Sequence, residues 1–188
     1  MTLVYERIDF EFICQLEGYS LKGYVPDPEH SRSGVTIASG FDLGQRSAAE
    51  LKSMFPPELA NRLMPYVGKV KFDAVSLLRQ QPLLISDAEA RLINEQAKRS
   101  AVDRLVRSWD SSQPCMPFHA LAPACATVIA SVAFQYGELS TRTPNFWKQV
   151  ITGQWQDAVH NLRHFGDKYS TRRNREAELL QQWLDTQH

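Results

Sequence analysis

One stretch of this chain alternates as a β-strand does, and it lies near the start: Gly34-Val-Thr-Ile-Ala-Ser-Gly-Phe-Asp-Leu-Gly44. Gly34 and Gly40 are turn or bulge positions within it. Upstream, Pro26 and Pro28 rule out a central strand, because proline cannot donate to a ladder. Residues 20–43 therefore predict two or three short strands, a small β-flap. Everything after it reads as helix after helix, so the fold class is α+β.

The helices announce themselves through caps and period. Asp9 can N-cap a short helix, with Ile8 stapling across the cap onto Ile13 and Gly18 as the stop. Ser47 caps a helix to Met54, Pro57 opens another to Tyr66, and Phe72–Gln80 is a third short piece. Ser86-Asp-Ala-Glu89 is a capping box for a long amphipathic helix to about Trp109. Its apolar set, including Ile93, Val102, Leu105 and Trp109, keeps the 3.6-residue period. Residues 111–122 are the most loop-like connection and suit a hinge. Pro123 then begins a segment to Tyr136 that is apolar almost all round, the pattern of a buried central helix. Amphipathic pieces at about 144–152, 155–164 and 172–184 complete the chain.

With 188 residues, one domain with a substantial core is expected, divided into a small and a larger lobe. The flap-bearing lobe would take residues of about 18–70, and the helical lobe about 1–17 and 86–188. Twenty-one basic residues balance twenty-one acidic ones, so no global field favours nucleic acid. Cys14, Cys115 and Cys125 have no paired spacing, and Cys14 reads as a small buried hydrophobe. Glu6, Asp9 and Glu11 interrupt any apolar leader, and no run is long enough to span a membrane. The expectation is synthesis in the cytoplasm without a signal peptide, and delivery or release to any site of action beyond it.

Glu17 is the first residue that asks for a chemical explanation. Ile13 and Cys14 stand four and three positions before it, so it shares their apolar face. A carboxylate there is opposed by the negative helix end and by desolvation, a setting that suits a general acid. Its bland alternative is an ordinary helix-end glutamate. Thr36 by itself is a strand threonine, and Asp42 can simply cap a turn through its own backbone. His160 and His164 have the i, i+4 spacing of a metal pair, but no third ligand accompanies them, and exposed helix histidines are the simpler reading. No metal and no cofactor are expected. Nucleotide-binding glycine motifs are missing from the sequence.

A short helix ending in Glu-Gly, then a flap carrying Ser33-Gly34-Val35-Thr36-Ile37-Ala38-Ser39-Gly40-Phe41-Asp42-Leu43-Gly44, resembles the T-even phage type lysozyme family. The closer likeness is to its bacteriocin branch, the pesticin-like muramidases. Val132-Ala133-Phe134-Gln135-Tyr136-Gly137, Asn145-Phe146-Trp147, Gln154–Leu162 and Arg172-Arg173 before Glu176-Ala177-Glu178-Leu179 extend the resemblance to the end of the chain. Residues 45–110 are the least diagnostic. The resemblance implies a lysozyme-like fold with the active-site cleft between the two lobes.

It also implies a muramidase that cuts the β-1,4 bond between N-acetylmuramic acid and N-acetylglucosamine in peptidoglycan. Glu17 matches the general acid, Thr36 the flap hydroxyl beside the attacking water, and Asp42 the second acid, six positions after the threonine. Arg172 or Arg173 matches the arginine that anchors the acid's helix, and at least one of the two is expected to be solvated. In the phage enzymes the second acid precedes the threonine, which makes Asp27 and Glu29 alternatives. The neutral charge departs from the basic character frequent among wall-degrading lysozymes. Rival readings are a lytic transglycosylase, a chitinase-like enzyme, or an idle glycan- or immunity-binding module. An antibacterial effector acting in the periplasm would imply a cognate immunity protein; a phage endolysin would not. A monomer is expected, without membrane insertion.

Overall fold

The computed structural model describes residues 2–187. In chain order the elements are α1 (Thr2–Tyr5), α2 (Phe10–Glu17), β1 (Ser20–Tyr24), β2 (Thr36–Ala38) and β3 (Phe41–Asp42). They continue with α3 (Ala48–Met54), α4 (Pro57–Leu63), α5 (Lys71–Gln80), α6 (Asp87–Ser111) and α7 (Pro123–Tyr136). The chain ends with α8 (Leu139–Arg142), α9 (Pro144–Ile151), α10 (Trp155–Arg163) and α11 (Ser170–Asp185). Single 3₁₀ turns lie at 43–45, 64–66 and 118–120. The architecture is α+β and lysozyme-like, with one small antiparallel sheet of order β1-β2-β3. The short helices α1 and α8 carry too few residues to show a period, and the sequence pattern does not predict them.

Local signals set most boundaries. The Asp9 carboxylate accepts from the Phe12 backbone N–H at 2.9 Å, the N-cap bond that starts α2. Ser47 and Glu50 form a reciprocal capping box on α3, and Ser86 with Glu89 forms another at the start of α6. Gly18, at φ +67°, ends α2 in the left-handed region that a side chain disfavours.

The chain divides into two compact units, residues 14–97 and residues 1–13 with 98–188. The first holds the sheet and helices α3 to α5. Its core gathers Val35, Ile37, Phe41, Leu51, Leu63 and Ile93. Sequence pattern alone does not reveal how the flap is clipped down. Gly23 N–H donates to the Leu83 carbonyl and Ile85 N–H to the Leu21 carbonyl, both at 2.9 Å, so residues 83–85 cover the open edge of β1. On the other side, Lys71 N–H donates to the Ser33 carbonyl and Gly68 N–H to the Leu43 carbonyl.

The second unit is helical and is built round α7, whose residues Cys125 to Ala133 are all buried. Trp109 sits in its core, edge-on to both Phe118 and Trp147. Trp155 and Trp183 meet edge-to-face at 5.6 Å. A charged network lies within this apolar mass. Glu176, wholly buried, is gripped by Arg172, Arg173 and Ser131, while Asp167 accepts from Arg173 Nε and the Tyr136 hydroxyl.

Candidate active site

Glu17, Thr36 and Asp42 all fall in the unit of residues 14–97, as do the alternative acids Asp27 and Glu29. Glu17 is the last residue of α2 and is half-buried. Three residues after it the chain enters β1, whose Ser20 pairs with Ala38 of β2. The end of the helix is thereby tied to the same ladder that carries the flap residues.

Within that ladder, Thr36 stands directly opposite Asp42, and Tyr24 stands directly opposite Thr36. Directly opposed residues share a face of an antiparallel sheet. Tyr24, Thr36 and Asp42 therefore form a row across all three strands. Val35 and Ile37, on the alternate positions, are buried in the core behind it. Tyr24 is exposed, whereas Thr36 is only 3% exposed and its hydroxyl donates to the Gly34 carbonyl at 3.2 Å. That bond uses the one hydroxyl proton and leaves oxygen lone pairs to accept from a water.

Asp42 caps a turn, the structural role that its sequence position allowed. Its Oδ1 accepts from the Gly34 N–H at 2.9 Å and from the Gly44 N–H at 2.8 Å, capping the 3₁₀ turn that follows. Oδ2 makes no bond to the protein among the described residues. One oxygen thus builds the flap and the other remains able to do chemistry. Gly34 and Gly44 must be glycines for this arrangement. A Cβ on either would lie within 3 Å of the other's backbone and of the Lys69 carbonyl.

The alternative second acids, Asp27 and Glu29, lie in the loop between β1 and β2 and are both exposed. Asp27 has φ +39° and accepts from the His30 backbone N–H and its ring Nδ1. Its side chain is 58% exposed, and no described contact ties it to Thr36 or Asp42.

Arg172 and Arg173 belong to the helical unit, and the expectation that one is solvated is wrong. Arg173 is 1% exposed, with the Tyr136 and Phe165 rings against its guanidinium; Arg172 reaches Glu176 and the Ser131 carbonyl and hydroxyl. Both side chains follow their carboxylate partners inward, because a buried Glu176 requires its cations beside it. Cys14 also differs from expectation. It is partly accessible rather than buried, and its sulfur accepts from the Asn94 amide at 3.2 Å.

Asn94 is the site residue that sequence reasoning missed. It is 5% exposed and uses both ends of its carboxamide, Nδ2 toward Cys14 and Oδ1 toward the Ser39 N–H at 2.9 Å. Its position beside Ile93 on an amphipathic helix gives no sign of this, since its partners are 55 and 80 residues away.

The three cysteines are free, and burial pushes the Cys125 thiol up to about 12. His160 and His164 stack at 4.3 Å between ring centroids, with His164 Nδ1 against the His160 carbonyl. Among the described residues no group of three His, Cys, Asp or Glu side chains is arranged to hold a metal ion.

Comparison with known proteins identifies a family. A family model described as pesticin, a bacterial toxin homologue of phage lysozyme (C-terminal part), matches residues 7–156. That span holds Glu17, Thr36, Asp42 and Asn94 and ends before Arg172. No curated protein matches the chain. With most of its length covered by this one model, the chain belongs to the pesticin family of phage lysozyme homologues.

Proposed function

We propose that this protein is a peptidoglycan hydrolase, a muramidase that cleaves the β-1,4 bond between N-acetylmuramic acid and N-acetylglucosamine. The observation that carries the reading is the direct pairing of Thr36 with Asp42 on a hairpin whose ladder continues through β1, the strand that follows Glu17 at the end of α2. Membership of a family of phage lysozyme homologues supports it.

Hydrolysis of a glycoside asks for a protonated carboxyl at the leaving oxygen and a second carboxylate for the attacking water or the oxocarbenium-like transition state. In the proposed reaction Glu17 gives its proton to the glycosidic oxygen as the bond to C1 breaks. The attacking water donates one hydrogen bond to Thr36 Oγ1, whose own proton is engaged with the Gly34 carbonyl. The unbonded Oδ2 of Asp42 takes the proton that the water loses as its oxygen joins C1. The products are an N-acetylmuramic acid reducing end and a free 4-hydroxyl on N-acetylglucosamine. Attack by water opposite the leaving group would invert the anomeric centre, the outcome expected where the acids stand roughly 6.5–9.5 Å apart.

The biological role proposed with this activity is that of an antibacterial effector acting on the wall of a rival cell, restrained in its producer by an immunity protein. A periplasmic export assay tests it. Protection of the expressing cells by a small secreted neighbouring gene product supports the effector; a neighbouring holin and no protection favours an endolysin.

The reaction is tested by mass spectrometry of purified peptidoglycan digested with the wild type, Glu17→Gln, Asp42→Asn and Asp27→Asn proteins. Reducing N-acetylmuramic acid ends from the wild type and the Asp27→Asn variant are expected, with both other variants reduced by at least about 100-fold. Anhydro ends, with activity surviving in Asp42→Asn, would replace the reading with a lytic transglycosylase. The double backbone bond to Asp42 Oδ1 is the observation that favours this second reading, since it gives Asp42 a structural reason to be present. Loss of Asp27→Asn activity would transfer the second-acid role to Asp27.

A further inference from the structure

We infer that Asn94 is a positioning residue of this site, a clamp that fixes the helix bearing Glu17 against the hairpin bearing Thr36 and Asp42. The inference rests on the muramidase reading above. Its basis is a single carboxamide that reaches both elements from α6.

The orientation of that carboxamide is set by its partners. The backbone N–H of Ser39 can only donate, so Oδ1 must face it, and Nδ2 is left to donate to Cys14 Sγ. Each contact sits where it has most leverage. Cys14 is three residues before Glu17 and therefore on the same face of α2, one turn away. A bond there fixes the rotation of the last turn and with it the direction of the Glu17 carboxyl. Ser39 is the midpoint of the hairpin, three residues after Thr36 and three before Asp42.

The hairpin needs such a hold. Ala38 is at φ +51°, a region that a residue with a Cβ disfavours, and Gly40 follows at φ +89°. Ser39 Oγ is buried without a hydrogen-bond partner among the described residues. A turn in this conformation persists only if its surroundings over-determine it, and the bond from Ser39 to Asn94 is the tertiary tie at its centre. An Asn buried to 5% exposure with both polar ends used is, in addition, costly to replace by chance with any other side chain.

The test compares wild type, Asn94→Leu, Cys14→Ala and Cys14→Ser on soluble peptidoglycan fragments, with kcat, KM and the pH profile of kcat/KM measured for each. Thermal unfolding and exchange of the Ser39 amide are followed in parallel. Asn94→Leu keeps the volume of the side chain and loses both bonds; Cys14→Ala loses one and leaves α6 untouched, should the first variant fail to fold. A positioning role predicts kcat down about 10- to 100-fold with KM within about twofold, since misplacement of roughly 1 Å costs that much. The pH limb belonging to the general acid shifts, Cys14→Ser recovers most of the loss seen in Cys14→Ala, and the Ser39 amide exchanges faster in Asn94→Leu. Folded variants with wild-type kcat and an unchanged pH profile would overturn the clamp while the muramidase reading stands. A folded wild type without products on any bacterial wall would overturn the muramidase reading itself, and the assignment of Asn94 with it.

Discussion

A carboxylate with two different oxygens is the central fact at the scale of single residues. Asp42 Oδ1 satisfies two backbone amides, and Oδ2 is left over. The two substitutions usually made at such a position should therefore separate its roles. Asn keeps an acceptor oxygen for Gly34 and Gly44 and removes only the charge. Ala leaves both amides without their partner, at about 1–3 kcal/mol for each that stays buried. Chemical denaturation should show Asp42→Asn within about 1 kcal/mol of wild type and Asp42→Ala clearly less stable, although both are expected to be inactive. Equal stability of the two would mean that the backbone bonds contribute nothing. Asn94 belongs to the same scale, and the contrast between the two is instructive. Asp42 lies in a motif whose spacing can be read. Asn94 is one polar residue among several on an amphipathic helix, and only folding gives it partners.

Among elements, the small sheet depends most on contacts outside itself. Three strands of five, three and two residues would not hold together alone. The 83–85 segment covers one side, and residues 68–71 clip the hairpin at Ser33, Gly34 and Leu43. The clip works because two glycine backbones cross. A Cβ on residue 44 would come to 2.7 Å from Gly34 Cα and 2.8 Å from the Lys69 carbonyl, and neither is a flexible side chain that can step aside. Gly44→Ala is predicted to destabilise the protein by about 1–3 kcal/mol, the usual cost of overpacking, read as a lower urea midpoint with the same slope. A midpoint unchanged from wild type would show that the crossing is looser than these distances imply. The helices rely on local chemistry instead. Asp9, Ser47 and Ser86 cap them with atoms a few residues away, which is why their starts were legible beforehand.

For the molecule as a whole, the charges that fold inward determine how stability should vary with pH. Burial works to raise the Asp167 carboxyl, but bonds from the Tyr136 hydroxyl, the Tyr169 backbone N–H and the Arg173 guanidinium outweigh it and hold it below its ordinary 3.8. A carboxyl lowered in the folded state binds fewer protons there than in the unfolded chain. Its contribution is therefore full above about 3.8 and is lost as pH falls through the lower folded value. Glu89 behaves in the same sense: burial opposes, and the bonds from Ser86 and Arg62 prevail, holding it below 4.5. These two carboxyls should lower the melting temperature as pH falls below about 4.5, whereas Glu176, raised above 4.5 by its burial, works in the opposite sense and contributes more below its folded value than at neutrality. Asp167→Asn should melt lower than wild type at pH 7, with the gap narrowing below pH 3; a gap that stays constant would show that Asp167 is not the group responsible.

The sequence by itself determined all the longer helices, where the flap lies, and a short set of candidates for chemistry, with Asp27 and Glu29 left open beside Asp42, because caps, period and motif spacing are local properties of the chain. It also carried the resemblance that the family match bears out. Tertiary structure alone decided the rest. It set Arg172 and Arg173 against Glu176 where at least one solvated side chain was expected, paired residues 83–85 with β1, and set Asn94 between Cys14 and Ser39. Each of these joins groups far apart in the chain. A buried polar atom must find its partner wherever folding brings one, and no short window of sequence contains that information.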